Sequence, residues 1–290
     1  MDDALQSLVD GVQETVNSTV ATMPQEVVAQ AEQNKAEQEK RSFEDNVRDL
    51  LRGFSRTIPS FIMAYGDGDL TLANFDQKTE AEVFQEVTGI TVDEFRFLRD
   101  GGDRVDSDTR ETAHFEGHLF DEVVFNDSVD EFWQKKQALA DYFDESQDED
   151  IFDYIPPQKT NQIFTPKWVV SMMVDQLEEN NPGCFDDPTK KFADLYMKSG
   201  LYITEIVKRL YRSEGLKAAY PDEQDRIRHI LQEQVFGMAP TRIIYLIATN
   251  YILGFDEELK HSIHNFVEAD AAEASKLGTL DALVEQYFGK

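Results

Sequence analysis

The sequence predicts an α/β chain in three parts. Residues 1–42 read as a helical or flexible arm, residues 43–155 as a mainly helical region, and residues 156–290 as the first half of a doubly wound parallel sheet with flanking helices. Three observations predict this. Apolar residues recur at helical spacing through the first half. Beyond residue 150, short apolar runs alternate with amphipathic stretches in the order strand, helix, strand, helix, strand. The charge also divides there: residues 1–150 hold 36 acids against 13 bases, and residues 151–290 hold 21 against 15. Such an asymmetry points to two regions with different duties.

In the arm, Val16, Val20, Met23, Val27 and Val28 fall near a helical period, and Pro24 interrupts them. From Phe43 the pattern tightens: Phe43, Val47, Leu50, Leu51, Phe54 and Ile58 would bury one helix face. Residues 61–65 are apolar and lead into a Gly-Asp-Gly-Asp turn at 66–69. Asp67 and Asp69 lack the Glu that a calcium loop carries at its twelfth position, so no calcium site is read there. Helices are predicted over 79–89 and 91–99, the second opened by a capping box of Thr91 and Glu94. Residues 100–116 read as a polar, Gly-bearing loop, a context that does not converge His114 and His118 on a metal. A further helix is predicted over 128–143, capped by Ser128 and Glu131, with Phe132, Trp133, Leu139 and Phe143 inward. The acids of 141–150 read as a solvated linker and place a boundary near residue 150.

After a loop at 156–166, a helix over 166–177 would bury Val169, Val170, Met173, Val174 and Leu177. Strands are predicted at 191–196, 234–238 and 266–268. The helix over 201–211 turns Ile203, Ile206, Val207 and Leu210 inward, and the next runs over 241–253 behind Pro240. In such sheets ligands bind beyond the carboxyl ends of the strands. Residues 194–200, Ala239, Pro240 and Asp270 would gather there.

The net charge of −29 disfavours nucleic acid as a direct partner, because affinity for DNA rests on cations that displace counterions. Any cations that meet DNA would lie outside these 290 residues. The 41% of hydrophobic residues suffices for a sizeable core, so a wholly disordered chain is excluded. No apolar run approaches the ~18 residues that cross a bilayer, and the start has neither a basic nor an apolar leader region. These features argue for the cytoplasm and against a membrane. The single Cys184 excludes an intrachain disulfide and a cysteine-built zinc site.

The residues around the strand ends resemble N6-adenine DNA methyltransferases of restriction–modification systems. Gln162-Ile163-Phe164-Thr165-Pro166 before a helix is similar to the segment that enters the family's S-adenosylmethionine pocket. Phe192-Ala193-Asp194-Leu195-Tyr196-Met197-Lys198-Ser199-Gly200, followed by Glu205, is similar to the first motif, D-P-A-C-G-S-G-x-F-L-x-E, with Asp194, Ser199, Gly200 and Glu205 matching. Val235-Phe236-Gly237-Met238-Ala239-Pro240 is similar to the second, I-Y-G-x-D-x-x-P, and 265–270 to the third, whose acid would be Asp270. The resemblance covers about 110 residues, 162–270, and implies a Rossmann-like methyltransferase sheet. It implies S-adenosylmethionine as cofactor, held by Phe164, Thr165, Pro166, Asp194, Tyr196, Lys198, Ser199, Gly200, Ala239, Pro240 and Asp270.

Departures stand beside the matches. The loop glycine is Lys198, the small loop residues are Tyr196 and Met197, and the ribose-binding acid is Ala239. Lys198 could pair with the carboxylate of the cofactor instead. No [DN]-P-P-[YF] follows Asp270, so no catalytic residue is assigned, and the chain reads as truncated before that motif. Residues 43–155 resemble the helical segment that joins a helicase motor to the methyltransferase in large restriction enzymes, through 53–59 and 119–125. The implied partners are DNA, reached through regions absent from this chain, and helicase, nuclease and target-recognition domains of the same or an associated polypeptide. Two other readings stay open: a degenerate methyltransferase fold kept as a binding or scaffold module, and an acidic DNA mimic.

Overall fold

In the computed structural model the described residues are 51, 53–66, 68–105, 112–146, 149–156 and 164–289. The chain divides into two units, Met1–Arg52 and Gly53–Lys290, and the helices and strands that position the site belong to the second. The expectations for the arm, Phe43, Val47, Leu50, Asp67, Gln162 and Ile163 lie outside the described residues.

Helices come first. They are α1 (Ile58–Tyr65), α2 (Phe75–Lys78), α3 (Ala81–Thr88) and α4 (Val92–Asp100). Their apolar stripes meet in a phenylalanine core. Phe54 stacks on Phe95 at 5.1 Å, Phe61 meets Phe75 edge-on at 4.8 Å, and Phe75 meets Phe125 edge-on at 5.4 Å. Each fully buried ring contributes about 1.5–3 kcal/mol of transfer free energy. The Thr91–Glu94 capping box forms as predicted. Thr79 does not open a helix; it ends α2, and Glu80 precedes α3.

The expected loop at 100–116 contains an antiparallel hairpin, β1 (Gly102–Val105) with β2 (Thr112–Phe115). It escaped the sequence because neither face is a continuous apolar row. A single ring pair, Phe97 with Phe115 at 5.0 Å, anchors it. His114 is engaged across the hairpin, its Nδ1 2.6 Å from Asp103 Oδ1, and no cluster of metal-binding side chains exists among the described residues.

The next helix, α5 (Glu122–Leu139), begins six residues before the predicted Ser128 cap. Asp121 caps it by accepting from the Val124 amide at 3.0 Å. Ser128 instead donates to the Val124 carbonyl one turn back, a mid-helix arrangement open to Ser. The segment 141–150 is not a freely solvated linker. Tyr142 and Asp150 are buried, Tyr142 donates to the Ile252 carbonyl at 3.0 Å, and Asp150 caps the 3-10 turn Ile151–Tyr154. Acids on either side of them masked these two anchors in the sequence.

Then come α6 (Lys167–Asn180), β3 (Phe192–Asp194), α7 (Leu201–Arg212), α8 (Glu214–Ala219), α9 (Glu223–His229) and β4 (Val235–Ala239). They are followed by α10 (Arg242–Ile252), α11 (Glu257–Lys260), β5 (Phe266–Glu268), α12 (Ala271–Lys276) and α13 (Leu280–Phe288). The three strands form a parallel sheet in the order β3-β4-β5, with Asp194 opposite Gly237 and Ala239 opposite Glu268. The architecture is mixed α/β with small sheets. All five residues of β4 are buried, as a central parallel strand requires. On α7, Ile203, Ile206, Val207 and Leu210 are buried as predicted. On α6, Val170 and Val174 are buried, but Met173 is exposed, against expectation. Trp168 and Met172 carry that helix's apolar residues beyond a single face, and periodicity could not say which arc the core would take.

Two polar anchors fix the helical region to the sheet region. Asn250 of α10 donates to the Met63 and Ala64 carbonyls at 3.2 and 2.8 Å. Lys136 of α5 donates to the Gly66 carbonyl at 2.9 Å, and its ammonium lies 4.0 Å from the Phe255 ring centroid. Both satisfy carbonyls at the carboxyl end of α1, where a helix leaves them orphaned.

Candidate functional site

The carboxyl ends of β3, β4 and β5 gather most of the predicted site residues. Asp194 ends β3, and its carboxylate accepts the Tyr196 amide at 2.9 Å, which turns the chain out of the strand. Burial raises the Asp194 carboxyl above its ordinary value, and that amide offsets part of the rise. Tyr202, in the first turn of α7, is raised by burial and then by the Asp194 charge.

The loop then folds back over the sheet. The Met197 amide donates to the Met238 carbonyl at 2.8 Å, and the Met197 side chain is wholly buried. Its thioether lies directly on Gly237, where a β-carbon would come within 2.2 Å of the sulfur. Tyr196 points outward and is exposed. Lys198 is half-buried and has no ion-pair partner among the described residues. Ser199 is buried and accepts the Leu201 amide at 3.3 Å. Gly200 opens α7 at φ +85°, and a β-carbon there would lie 3.0 Å from Ile252 and 3.1 Å from the Ala248 carbonyl. Left-handed backbone and close approach of α10 both demand glycine.

Phe164, Thr165 and Pro166 lead into α6. Pro166 is the N-cap, Thr165 is exposed, and Phe164 packs on Phe152 at 4.9 Å. Lys167 shares a small cavity with Leu201, Thr204 and Glu205, which sets the start of α6 against the start of α7. Glu205, the matched acid of the first motif, is buried in a clamp. It pairs with Lys208 at 2.5 Å and with Arg209 at 3.0 Å, and Arg209 reaches Asp175 of α6 at 2.6 Å.

Ala239 is wholly buried, its carbonyl accepting the Ala269 amide at 2.8 Å. Asp270 caps α12 through the Glu273 amide at 2.9 Å. A cleft of about 490 Å³ opens beyond β4 and β5, between Pro240, Thr241 and Glu268 on one side and Val83 and Glu86 of α3 on the other. Arg242 closes one end through a two-pronged pair with Glu80 at 2.9 and 3.1 Å. Burial raises the Glu86 carboxyl, and the Glu268 charge adds to the rise. Sequence reasoning missed Glu80, Glu86 and Arg242. No local signal links them, because the acids precede the arginine by more than 150 residues.

This arrangement can seat a small polar ligand along the strand ends. The cleft beyond β4 and β5 offers Glu86, Glu268 and Arg242, and the turn after β3 offers Asp194 and, among the described residues, a Lys198 ammonium with no ion pair.

No family model matches the chain, and no solved structure matches it. One curated protein is similar over part of it. An uncharacterized adenine-specific methylase from Mycoplasma pneumoniae is 27% identical over 103 residues, 36% of this chain and 24% of that protein. The match thus spans about a quarter of the relative's length.

Proposed function

We propose that this chain is the cofactor-binding portion of an adenine-N6 DNA methyltransferase of a restriction–modification system. The observation that carries the reading is the turn from Asp194 through Gly200 into α7, at the end of a strand in a parallel sheet. The partial likeness to an adenine-specific methylase supports it. The parallel order β3-β4-β5, with α7 and α10 among the connecting helices, supports reading the sheet as one half of a Rossmann-like one.

The donor set fits S-adenosylmethionine at the end of β3. Lys198 would meet its carboxylate, Asp194 would accept from its ammonium, and Gly200 would let the backbone approach it. Ser199, Tyr196 and Phe164–Pro166 would border the same groove, and Pro240 and Asp270 would border the nucleoside end. When bound, the cofactor supplies the methyl group that an adenine amine takes. These residues bind and orient it; the transfer itself is assigned to no residue of this chain, which has no [DN]-P-P-[YF] sequence. DNA contact falls to regions outside it, together with helicase, nuclease and target-recognition partners, in the cytoplasm. The charge of −29 supports that division of labour.

A second reading has its own observation. Met197 fills the space over Gly237, and Ala239 offers no acceptor, which suits a methyltransferase fold kept as a scaffold. Calorimetric titration with S-adenosylhomocysteine separates the two. The first reading expects binding near micromolar, about −8 kcal/mol, lost in Asp194→Ala. A folded sample that takes up no ligand at millimolar concentration supports the scaffold.

A further inference from the structure

A cavity of about 680 Å³ lies apart from the strand-end turns, and no residue of the turns after β3, β4 and β5 lines it. The end of α1 and the last turns of α5 wall it on one side, and α9, α11 and the end of α10 on the other. Its size suits a small organic ligand. It also sits where the helical region meets the sheet region, a common place for such sites.

Three features give its walls a chemistry. The first is aromatic: Trp133, Phe143 and Phe255 border the cavity, and Phe255 is held there under strain. The Gly254 and Phe255 amides donate to the Tyr251 and Asn250 carbonyls at 3.0 and 2.8 Å and so close α10. Gly254 has φ +63°, as such a turn requires. Phe255 follows at φ +57°, a left-handed conformation that a bulky side chain rarely adopts. Backbone of that kind gathers at ligand clamps.

The second feature is an acceptor. Asn250 is 5% exposed, and its Nδ2 is committed to the Met63 and Ala64 carbonyls. Those bonds fix the amide, and among the described residues nothing donates to its Oδ1. A buried acceptor at a cavity wall calls for a donor on whatever fills the cavity. The third feature is charge. The Lys136 ammonium lies 4.0 Å from the Phe255 ring centroid and 4.8 Å from that of Trp133, and Lys260 lines the same cavity. The acids that line it are turned to the backbone. Asp141 accepts the Phe143 amide at 2.9 Å, and Asp256 accepts the Glu258 and Leu259 amides at 2.8 and 3.0 Å. In a chain of net −29 this is a place that can receive an anion.

We infer that this cavity binds a mononucleotide whose base carries an amino group. The amine donates to Asn250 Oδ1, the base packs against the Trp133 and Phe255 rings, and the phosphate lies by Lys260. The inference goes beyond the methyltransferase reading and does not rest on it.

Fluorescence tests it. The sequence has two tryptophans, Trp133 and Trp168. Trp168 is 70% exposed, so Trp168→Phe leaves the fold intact and Trp133 as the single reporter. The full chain with that change is titrated with adenosine monophosphate. The expected result is a saturable change in Trp133 emission with micromolar affinity. Purine riboside monophosphate lacks the amine and should bind about tenfold or more weakly, because it leaves the acceptor buried and unpaired. Lys260→Glu, at a half-buried position, should weaken adenosine monophosphate by about as much, with its fold verified by circular dichroism. S-adenosylhomocysteine at equal concentration should leave the signal in place. No change in emission at millimolar adenosine monophosphate, equal affinity for the two nucleotides, full affinity in Lys260→Glu, or displacement by S-adenosylhomocysteine would each overturn the inference. The reporter lies outside the strand-end groove, so a failure here and a failed cofactor titration are distinct results.

Discussion

The Met197 thioether rests on the α-carbon of Gly237, so close that a β-carbon there would lie 2.2 Å from the sulfur. A loop side chain thus packs on the sheet where β4 pairs with the end of β3. Gly237→Ala should destabilise the fold by about 1–3 kcal/mol through overpacking. Met197→Ala alone leaves a cavity and should cost about 2–5 kcal/mol. In the double variant the new methyl enters the space the thioether left, so its loss should be smaller than the sum. Urea denaturation of the four proteins measures the coupling, and strict additivity would contradict the contact.

Gly200 and Gly183 separate strain from packing. Both have a left-handed backbone, φ +85° and +77°, but only Gly200 has neighbours where a β-carbon would go. Gly183→Ala should cost about 1–2 kcal/mol, the conformational penalty alone. Gly200→Ala should cost more, because Ile252 and the Ala248 carbonyl must also yield. Equal losses in chemical denaturation would show that α10 gives way freely.

Carboxylates shifted in opposite directions predict opposite pH responses. Burial raises Asp150, with the Phe152 amide offsetting part of it. Its native form therefore holds a proton that the unfolded chain releases, and stability falls as pH rises from the ordinary carboxylate range through the raised value. Burial alone would raise Asp76, but Arg96 and Arg99 together hold it below its ordinary value. Its contribution is present above the ordinary range and is lost as pH falls through the lowered one. Denaturation across pH should show Asp150→Asn gaining stability relative to wild type as pH rises, and Asp76→Asn losing its deficit as pH falls.

Asp270 has a structural duty and a proposed binding one. Asp270→Ala should cost about 1 kcal/mol as a lost helix cap, with faster amide exchange in α12. Asp270→Asn keeps a capping oxygen and should restore most of that stability. If the carboxylate also meets the cofactor, S-adenosylhomocysteine affinity should fall in both variants. Affinity unchanged in Asp270→Asn would assign the residue to capping alone.

Elements whose burial follows a strict period were legible in the sequence. Ile203, Ile206, Val207 and Leu210 recur at helical spacing, and every one is buried. The Thr91–Glu94 box is a local exchange of two hydrogen bonds, complete within four residues. The three strands are short apolar runs between helices, and the motif order across 162–270 placed Asp194, Gly200 and Ala239 near strand ends. The hairpin was not legible, because neither strand's sequence carries a continuous apolar row. Nor was the outward turn of Met173, because a helix with apolar residues on more than one face does not declare its buried arc.

By itself the sequence determined local matters: the buried face of α7, the Thr91–Glu94 cap, and how charge divides at residue 150. Local rules suffice there, since backbone sterics and hydrogen bonds within a few residues set the outcome. Only the tertiary structure decided that Glu80 reaches Arg242 across 162 residues and that Asn250 caps α1 across 186. It alone put Met197 onto Gly237 and left Trp168 and Met172 uncovered. Such contacts depend on how whole elements pack, and close packing joins residues that no spacing rule connects.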